Sequence, residues 1–435
     1  MNRELLCENV TVSDGHLHFA GVDTVELAKQ YGTPLYLIDE ARIRRNCRTY
    51  RAAMAAAFGE NGQVLYASKA ASFKRVYEIM REEEMGIDVV SIGEMYTAMK
   101  AGFPLSRAYF HSNNKTDADI GFAMEHGIGY FVADNAEELR AIDREAAARS
   151  TKQPILIRIT PGIDPHTFAA VSTGKVDSKF GAAIATGQAD KLIQLALSLP
   201  HLRLVGFHCH VGSMVFDADV FLKTADVMLR FIADVTETYG ITVEQLDLGG
   251  GFGVRYLPEH PFMNVAAVIA QVGAFVKETV AKLGIAMPKI SIEPGRSIVA
   301  DAGMTLYTVG SVKKVEGFIN YVSVDGGMAD NVRYAMYEAP YTLLPADKMD
   351  APRDLTCTVV GRCCESGDIL QRDVPLPRDV ARGDLIAVQT TGAYNYSMAS
   401  NYNRLPRPPI VMVNDGDSYV AVRRETIDDL VSLDI

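Results

Sequence analysis

Three things that the sequence lacks narrow the classes of protein it can encode. No apolar run approaches the roughly 20 residues of a membrane-spanning helix, and the stretch MNRELLCENV has no apolar signal-peptide core. The 6 cysteines contain no CxxC spacing, so neither a disulfide scaffold nor a zinc site is expected. The net charge of -11 offers no basic face for nucleic acid. We predict a cytoplasmic protein with reduced thiols, no metal, no membrane contact and no nucleic-acid partner.

Most of the chain alternates short β-rich runs with amphipathic helical patterns, after helical segments at 22–32 and 39–58. Eight such units in a row favour a (β/α)8 TIM-like barrel over an open sheet. Strands of a barrel are buried on both faces, as the apolar runs PILIRI and LRLVGF require. The predicted strands are 63–68, 86–91, 107–112, 128–133, 154–160, 202–210, 243–249 and 289–294, and the clearest helices are 135–150, 187–199, 217–239 and 265–284.

After about residue 296 the pattern changes to short alternating runs between Gly, Pro and Asp turns, which predicts a C-terminal all-β domain. The early stretch TVSDGHLHFAG alternates too, and we expect it to join that domain. The segment 166–181 has no clear period and is either a substrate-side loop or short helix, or a plain insertion. The predicted division is an N-terminal segment at 1–30, a barrel at 31–295 and a β domain at 296–435. The predicted β runs of that domain are 305–315, 321–325, 357–361, 385–390, 410–413 and 419–423.

Polar residues gather at the C-terminal ends of the predicted strands, where barrel enzymes carry their chemistry. Lys69 ends the apolar run of VLYASKAASF, although a lysine normally keeps its ammonium in water. Such a lysine either surfaces there or is needed as a nucleophile. The other strand ends carry HSNN at 111–114, His210, GGGFG at 249–253, and Glu293 with Arg296.

Together these features match the needs of pyridoxal phosphate, which are a Schiff-base lysine, a phosphate cradle and a group that tunes the pyridine nitrogen. The glycines of LDLGGGFG would let backbone N–H groups approach an anion, although a tight turn without a ligand explains them equally well. Glu293 and His210, each taken alone, are more often structural residues. Opposite Lys69, however, the Glu293 carboxylate would keep the pyridine nitrogen protonated. Lys69 is therefore the predicted cofactor lysine.

An ordered set of motifs over nearly the whole chain resembles the fold-type III pyridoxal-phosphate-dependent decarboxylases, and within them the diaminopimelate decarboxylases. This resemblance implies a cofactor-binding barrel, a β domain completed by the N-terminal segment, and a homodimer with shared active sites. The motifs are YASKA, HSNNK, STGKVDSKFG, GFHCHVGS, LDLGGGFG, EPGRSIVA, GGMADNVRYAMY, GRCCESGD and GAYNYSMASNYN.

The resemblance also implies roles for individual residues. Lys69 corresponds to the lysine of the internal aldimine, His210 to the histidine stacked on the cofactor ring, and Glu293 to the partner of the pyridine nitrogen. Cys364 corresponds to the proton donor, and Glu365 to the residue that holds the distal amine. Both would come from the partner subunit. The phosphate side corresponds to Ser213, Gly249, Gly250, Gly251 and Tyr394, and the distal carboxylate of the substrate to Arg296, Arg333 and Tyr337. From its position after the eighth strand Arg296 is also expected to contact the phosphate, and Tyr394 is also expected to bind the substrate.

The implied reaction is decarboxylation of meso-2,6-diaminopimelate to L-lysine and CO2, the last step of lysine biosynthesis. Arg296 and Arg333 favour this substrate, because planar guanidinium groups suit a second carboxylate that a diamine-forming enzyme would not need to hold. A related decarboxylase of D-lysine, D-ornithine, arginine or carboxynorspermidine is the nearest alternative. A racemase would be expected to carry arginine where Glu293 lies. A non-catalytic cofactor carrier would generally lack the β domain.

Overall fold

The computed structural model describes residues 4–163 and 178–435. The loop or short helix predicted at 166–181 lies almost wholly outside these described residues. The chain divides into two compact units that are discontinuous in sequence. We call them the β unit, formed by Met1–Arg45, Val254–Phe262 and Arg296–Ile435, and the barrel unit, formed by Asn46–Gly253 and Met263–Gly295.

The N-terminal segment forms a small sheet of its own. Its strands are β1 (Val10–Ser13), β2 (His16–Phe19) and β3 (Val22–Asp23), paired in the order β1-β2-β3. Helix α1 (Thr24–Tyr31) follows, and the side chain of Asp23 caps it by accepting the Val25 backbone N–H. Strand β4 (Leu35–Asp39) and helix α2 (Glu40–Phe58) come next.

The barrel unit is a closed parallel barrel, which confirms the predicted fold class. Strands β5 to β9 and β11 to β13 pair in sequence order, and β8 pairs with β9 to close the ring. Its interior is a packed core of Leu65, Tyr109, Val132, Leu156 and Val205. The strands are β5 (Gly62–Ala67), β6 (Gly86–Val89), β7 (Ala108–Phe110), β8 (Tyr130–Ala133), β9 (Gln153–Thr160), β10 (Ala182–Ala183), β11 (Leu202–His208), β12 (Gln245–Asp247) and β13 (Lys289–Ile292).

Local sequence signals begin and end the barrel helices. Thr116 and Asp119 form a capping box, and Gly240 and Gly284 end two helices in the left-handed conformation. Among the described helices, none combines the length and the apolar character needed to cross a membrane. The helices are α3 (Lys74–Glu82), α4 (Ile92–Lys100), α5 (Asp117–Glu125), α6 (Ala136–Ala148), α7 (Gln188–Ser198), α8 (Ala218–Tyr239) and α9 (Val265–Leu283).

The β unit is built around a mixed sheet in the order β18-β17-β15-β14-β4-β20-β21, with β19 pairing to both β14 and β16. Strand β4 runs antiparallel to β14 and parallel to β20. The elements are α10 (Arg296–Val299), β14 (Gly303–Lys313), β15 (Asn320–Val324), α11 (Arg333–Tyr337), β16 (Leu343–Pro345), β17 (Leu355–Val360), β18 (Ile369–Leu376), β19 (Leu385–Gln389), β20 (Ile410–Asn414), β21 (Asp417–Val422) and α12 (Ile427–Val431).

The structure departs from the predicted division in two places. The β unit extends to Arg45, beyond the predicted segment 1–30, because β4 lies inside its main sheet. It also takes Val254–Phe262 out of the sequence predicted for the barrel. The stretch TVSDGHLHFAG contacts the unit through its own sheet, where the Leu17 backbone N–H donates to the Ala346 carbonyl at 2.7 Å.

Candidate active site

Lys69 lies directly after β5, in a single turn formed by Ser68–Ala70, and its side chain is exposed. The charge of Lys69 lowers the pKa of two acidic groups. Burial raises the pKa of Asp88 in β6, as does Glu293, and Lys69 opposes that rise. Burial also raises the pKa of Glu94 to about 7. The hydrogen bond that Glu94 accepts from the Val90 N–H and the charge of Lys69 both oppose this rise. The amine is therefore accessible, and Glu94, one of the acids that its charge affects, can exchange protons near neutral pH.

Glu293 directly follows β13 and is buried between two imidazoles. One oxygen, Oε1, lies 2.7 Å from Nε2 of His111, and Oε2 lies 3.0 Å from Nε2 of His208. Burial lowers the pKa of His111 to about 4, and it also lowers the pKa of His208. Both rings are therefore neutral at pH 7. Burial opposes ionisation of Glu293, but the imidazoles facing its oxygens hold its pKa well below the usual value. Glu293 is therefore a buried carboxylate that stays charged.

Neighbouring acids differ from Glu293 in their charge state. Asp247 in β12 accepts the Gly249 backbone N–H at 2.8 Å through Oδ1. Burial and the charge of Glu293 raise the pKa of Asp247 and of Asp88 well above the usual value. Like charges this close cannot all ionise, so the negative charge of the group is concentrated on Glu293.

Donor atoms of His111, His208 and Glu293 all lie within 4.8 Å of one another, a spacing that a metal ion could also use. Each imidazole Nε2 already faces a carboxylate oxygen, an arrangement that needs no ion. The prediction of no metal stays a prediction.

The glycine run packs closely against His210. Gly249 has φ +69°, and a Cβ there would lie 2.5 Å from the Cys209 carbonyl oxygen. A Cβ on Gly250 would lie 2.2 Å from the Glu293 carbonyl oxygen, so neither position accepts a side chain. The Gly250 N–H donates to Nδ1 of His210 at 3.3 Å, and burial together with Lys69 lowers the pKa of His210 well below its usual value. His210 is therefore a neutral ring held in a fixed orientation.

These observations fit a pyridoxal phosphate group. Lys69 supplies an accessible amine, the glycine run leaves the close backbone approach that a phosphate requires, and Glu293 supplies a charged carboxylate for a protonated ring nitrogen. Ser213, the remaining phosphate-side residue of this unit, is partly buried. The assignment of these residues to the cofactor stays a prediction.

The β unit brings together a second cluster, which contains both predicted arginines. Arg296 begins α10 and Arg333 begins α11, and both are buried. Arg296 donates through Nη1 to the Tyr256 hydroxyl at 2.9 Å, and Arg333 donates through Nη1 to the Tyr341 hydroxyl at 2.6 Å. The Arg296 guanidinium also lies 4.6 Å from the centre of the Tyr394 ring. Both guanidinium groups lie close to the Tyr256 ring, and two buried guanidinium groups near one another suit an anionic ligand.

Three predicted residues lie on the surface of the β unit. Tyr337, at the end of α11, is 41% exposed. Cys364 and Glu365 are exposed on a turn anchored by Asp368, whose Oδ2 accepts the Cys363 N–H at 2.7 Å. The other oxygen of Asp368 accepts the Met328 N–H at 2.6 Å.

Sequence reasoning missed five residues of these clusters. Three of them lie inside the predicted strands 86–91, 202–210 and 243–249, although His208 and Asp247 are the last residues of β11 and β12. The two tyrosines lie outside the predicted strands. An acid or histidine interrupting an apolar strand, as in GIDVV and VGFHCH, is the signal that could have found three of them. The missed residues are Asp88, His208, Asp247, Tyr256 and Tyr341.

Comparison with known proteins finds a family model that matches part of the chain and relatives that match nearly all of it. Residues 40–300 match the family model for the pyridoxal-binding domain of pyridoxal-dependent decarboxylases. The chain is 44% identical over 421 residues to the diaminopimelate decarboxylase of Bacillus subtilis (strain 168), covering 97% of this chain and 95% of that protein.

Solved structures agree with the sequence match. Diaminopimelate decarboxylase of M. jannaschii, in complex with L-lysine, has a TM-score of 0.90 and 33% identity over 98% of both chains. Lysine/ornithine decarboxylase of Vibrio vulnificus, complexed with putrescine, has a TM-score of 0.75 and 25% identity over 90% of this chain and 97% of that one.

Proposed function

Because the chain belongs to the diaminopimelate decarboxylase family of pyridoxal-phosphate-dependent decarboxylases, we propose that it converts meso-2,6-diaminopimelate to L-lysine and CO2. The predicted cofactor, pyridoxal phosphate, is confirmed by the family match. The observation that carries the substrate assignment is the pair of buried arginines, Arg296 and Arg333. In the cell this reaction would be the last step of lysine biosynthesis, carried out in the cytoplasm.

When bound, pyridoxal phosphate supplies an electron sink for the electrons left by departing CO2. Lys69 would hold the cofactor through its amine. His210 would hold the cofactor ring as a neutral imidazole, which the Gly250 N–H at its Nδ1 supports. Ser213, Gly249, Gly250, Gly251, Tyr394 and Arg296 would hold the phosphate.

Glu293 is the proposed partner of the pyridine nitrogen. A charged carboxylate keeps a proton on that nitrogen, and the buried His111 and His208 support this by stabilising the charge on Glu293. The high pKa of Asp88 and Asp247 removes competing negative charge from the same region.

The far end of the substrate requires groups of both signs. Meso-diaminopimelate carries an amino acid group at each end, so the enzyme must hold one end while it decarboxylates the other. Arg296 and Arg333 bind the distal carboxylate with planar donor groups, and Glu365 binds the distal amine. Tyr337 and Tyr394 are the proposed aromatic neighbours of this end.

Cys364 is the proposed donor of the proton that replaces CO2 at the α-carbon, acting from the partner subunit of a homodimer. Two features support this role. Cys364 is exposed, and its backbone N–H donates to Oδ1 of Asn403 at 2.7 Å, while Asp368 anchors the same turn. A thiol presented on a fixed turn suits delivery to a second chain, and a positioned acid is typically worth about 10²–10⁴-fold in rate.

Substrate preference tests the proposed function directly. CO2 release would be measured from the reconstituted protein with meso-diaminopimelate, D-lysine, D-ornithine, arginine and carboxynorspermidine, each over a range of concentrations. We expect kcat/KM to be highest for meso-diaminopimelate. A higher kcat/KM for any of the substrates without a distal carboxylate would reject the assignment and favour a related decarboxylase.

Substitution of Arg333 by alanine tests the carboxylate site. Loss of a two-pronged charged contact should lower kcat/KM for meso-diaminopimelate on the order of 10²-fold. The visible absorption of the bound cofactor should be retained, because Arg333 is not proposed to contact it. Arg372→Ala, an exposed arginine in β18, is the matched control and should change neither. Equal loss of cofactor and activity in Arg333→Ala would instead indicate a structural role.

A further inference from the structure

Tyr256 is fixed at both its backbone and its ring. It lies in Val254–Phe262, the short segment that belongs to the β unit, and it is 2% exposed. Its backbone N–H donates to Nδ1 of His260 at 3.2 Å, and its carbonyl accepts the Thr342 hydroxyl at 2.9 Å. The ring meets Tyr341 edge to face, with 5.4 Å between centres and 82° between planes. This side chain therefore has little freedom to move.

Arg296 and Arg333 both contact Tyr256. Arg296 donates to its hydroxyl oxygen at 2.9 Å, and the guanidinium carbon of Arg296 lies 5.8 Å from the ring centre. The guanidinium carbon of Arg333 lies 4.9 Å from the same ring centre. Burial favours the neutral phenol, yet the pKa of Tyr256 is lowered from its usual value because Arg296 and Arg333 favour the phenolate.

We propose that Tyr256 is the positioning residue of the carboxylate site, holding Arg296 and Arg333 side by side through its hydroxyl oxygen and ring face. The inference rests on the proposed function, because it takes the two arginines as the residues that bind the distal carboxylate. Two guanidinium groups at one ring repel each other, and both the negative face of an aromatic ring and a phenol oxygen reduce that repulsion. Tyr256 thereby keeps the pair in place before the substrate arrives.

Tyr341 supports the same arrangement from the other side. Its hydroxyl accepts a hydrogen bond from Nη1 of Arg333 at 2.6 Å and also contacts the side-chain amide of Asn395. If the Tyr256 hydroxyl is removed, Arg333 therefore keeps its contact with the Tyr341 hydroxyl, whereas Arg296 loses the hydroxyl to which it donates at 2.9 Å. The loss should disturb the carboxylate site through Arg296 first, with the aromatic packing left intact.

Two ligands separate a positioning role from a structural one. L-Lysine keeps one carboxylate, whereas cadaverine has the same carbon chain and amines with none. In Tyr256→Phe holoenzyme, calorimetric titration should show L-lysine binding weakened roughly 10- to 100-fold, as for loss of one hydrogen bond to a charged group. Cadaverine binding should be unchanged. Equal weakening of both ligands, or no change for L-lysine, would overturn the inference.

The control variant is Tyr96→Phe, an exposed tyrosine on α4 that is 49% exposed. It should bind both ligands as the original protein does. The original protein is assayed first for turnover of meso-diaminopimelate. Absence of that turnover would reject the proposed function, whereas normal turnover with unchanged L-lysine binding in Tyr256→Phe rejects only the role of Tyr256.

Titration of the phenol gives a readout that needs no ligand. The chain has 19 tyrosines and no tryptophan, so ionisation of a single tyrosine is visible in the near-ultraviolet spectrum. The groups facing the phenol are Arg296, Arg333 and Tyr341, with Tyr394 on the far side of Arg296 and His260 at the backbone. The difference between the original protein and Tyr256→Phe should show one tyrosine ionising at lower pH than the rest. Ionisation together with the others would overturn the proposed contact with two arginines.

Discussion

Replacement of Lys69 by alanine is expected to remove the visible absorption of the reconstituted protein and to abolish measurable CO2 release. The side chain is exposed directly after β5, and it is the amine that would bind the cofactor aldehyde. Loss of the amine also removes the positive charge that lowers the pKa of Asp88 and Glu94. Absorption spectra and CO2 release, recorded after incubation with excess pyridoxal phosphate, provide the measurement.

Lys74→Ala is the matched control for this experiment, because Lys74 is exposed at the start of α3. It should keep both the absorption and the activity. If Lys69→Ala retained the absorption band, a different lysine would hold the cofactor and the assignment of the barrel unit would be wrong.

Glu293→Gln should give the second large effect, a fall in kcat on the order of 10²–10³-fold, the scale for loss of one preorganised electrostatic contact. Glutamine keeps the shape of the side chain between His111 and His208 but carries no charge to hold a proton on the pyridine nitrogen. The cofactor should still bind, because Lys69 and the glycine run are unchanged. The measurement is kcat at saturating substrate, together with the cofactor content of the variant.

The control for Glu293→Gln is Glu125→Gln, an exposed position at the end of α5. Its kcat should equal that of the original protein. Full activity of Glu293→Gln would refute the electrostatic role, and loss of bound cofactor in proportion to activity would indicate that Glu293 serves binding alone.

The barrel could be predicted because each of its strands carries its own signal. An apolar run such as PILIRI is buried on both faces in β9, and its neighbours in the sheet are adjacent in sequence order. Strand β4 was missed for the opposite reason. Its residues LYLID separate two helical patterns, and its partners β14 and β20 lie far along the chain. Strands β16 and β18 were also missed, between polar turns.

The candidate site likewise contains residues that the sequence predicted and residues that it did not. Lys69, Glu293 and the glycine run were predicted because they lie where a strand ends, which is a position that sequence reveals. Tyr256 was not, because its contacts with Arg296 and Arg333 join parts of the chain that only the folded β unit brings together. The roles of Cys364 and Glu365 came from the family resemblance, since the geometry of one chain records only that they are exposed.

The position of β4 constrains the order in which the protein can be completed during synthesis. Its neighbour β14 begins at Gly303 and its other neighbour β20 only at Ile410. At roughly 5–20 residues per second, a ribosome needs on the order of tens of seconds to make the intervening chain. Throughout that time LYLID lacks both of its strand partners. The early contacts open to it are with the N-terminal segment, where Asn9 donates to Asp39 at 3.0 Å and Leu17 and Phe19 belong to the same core as Leu35 and Leu37.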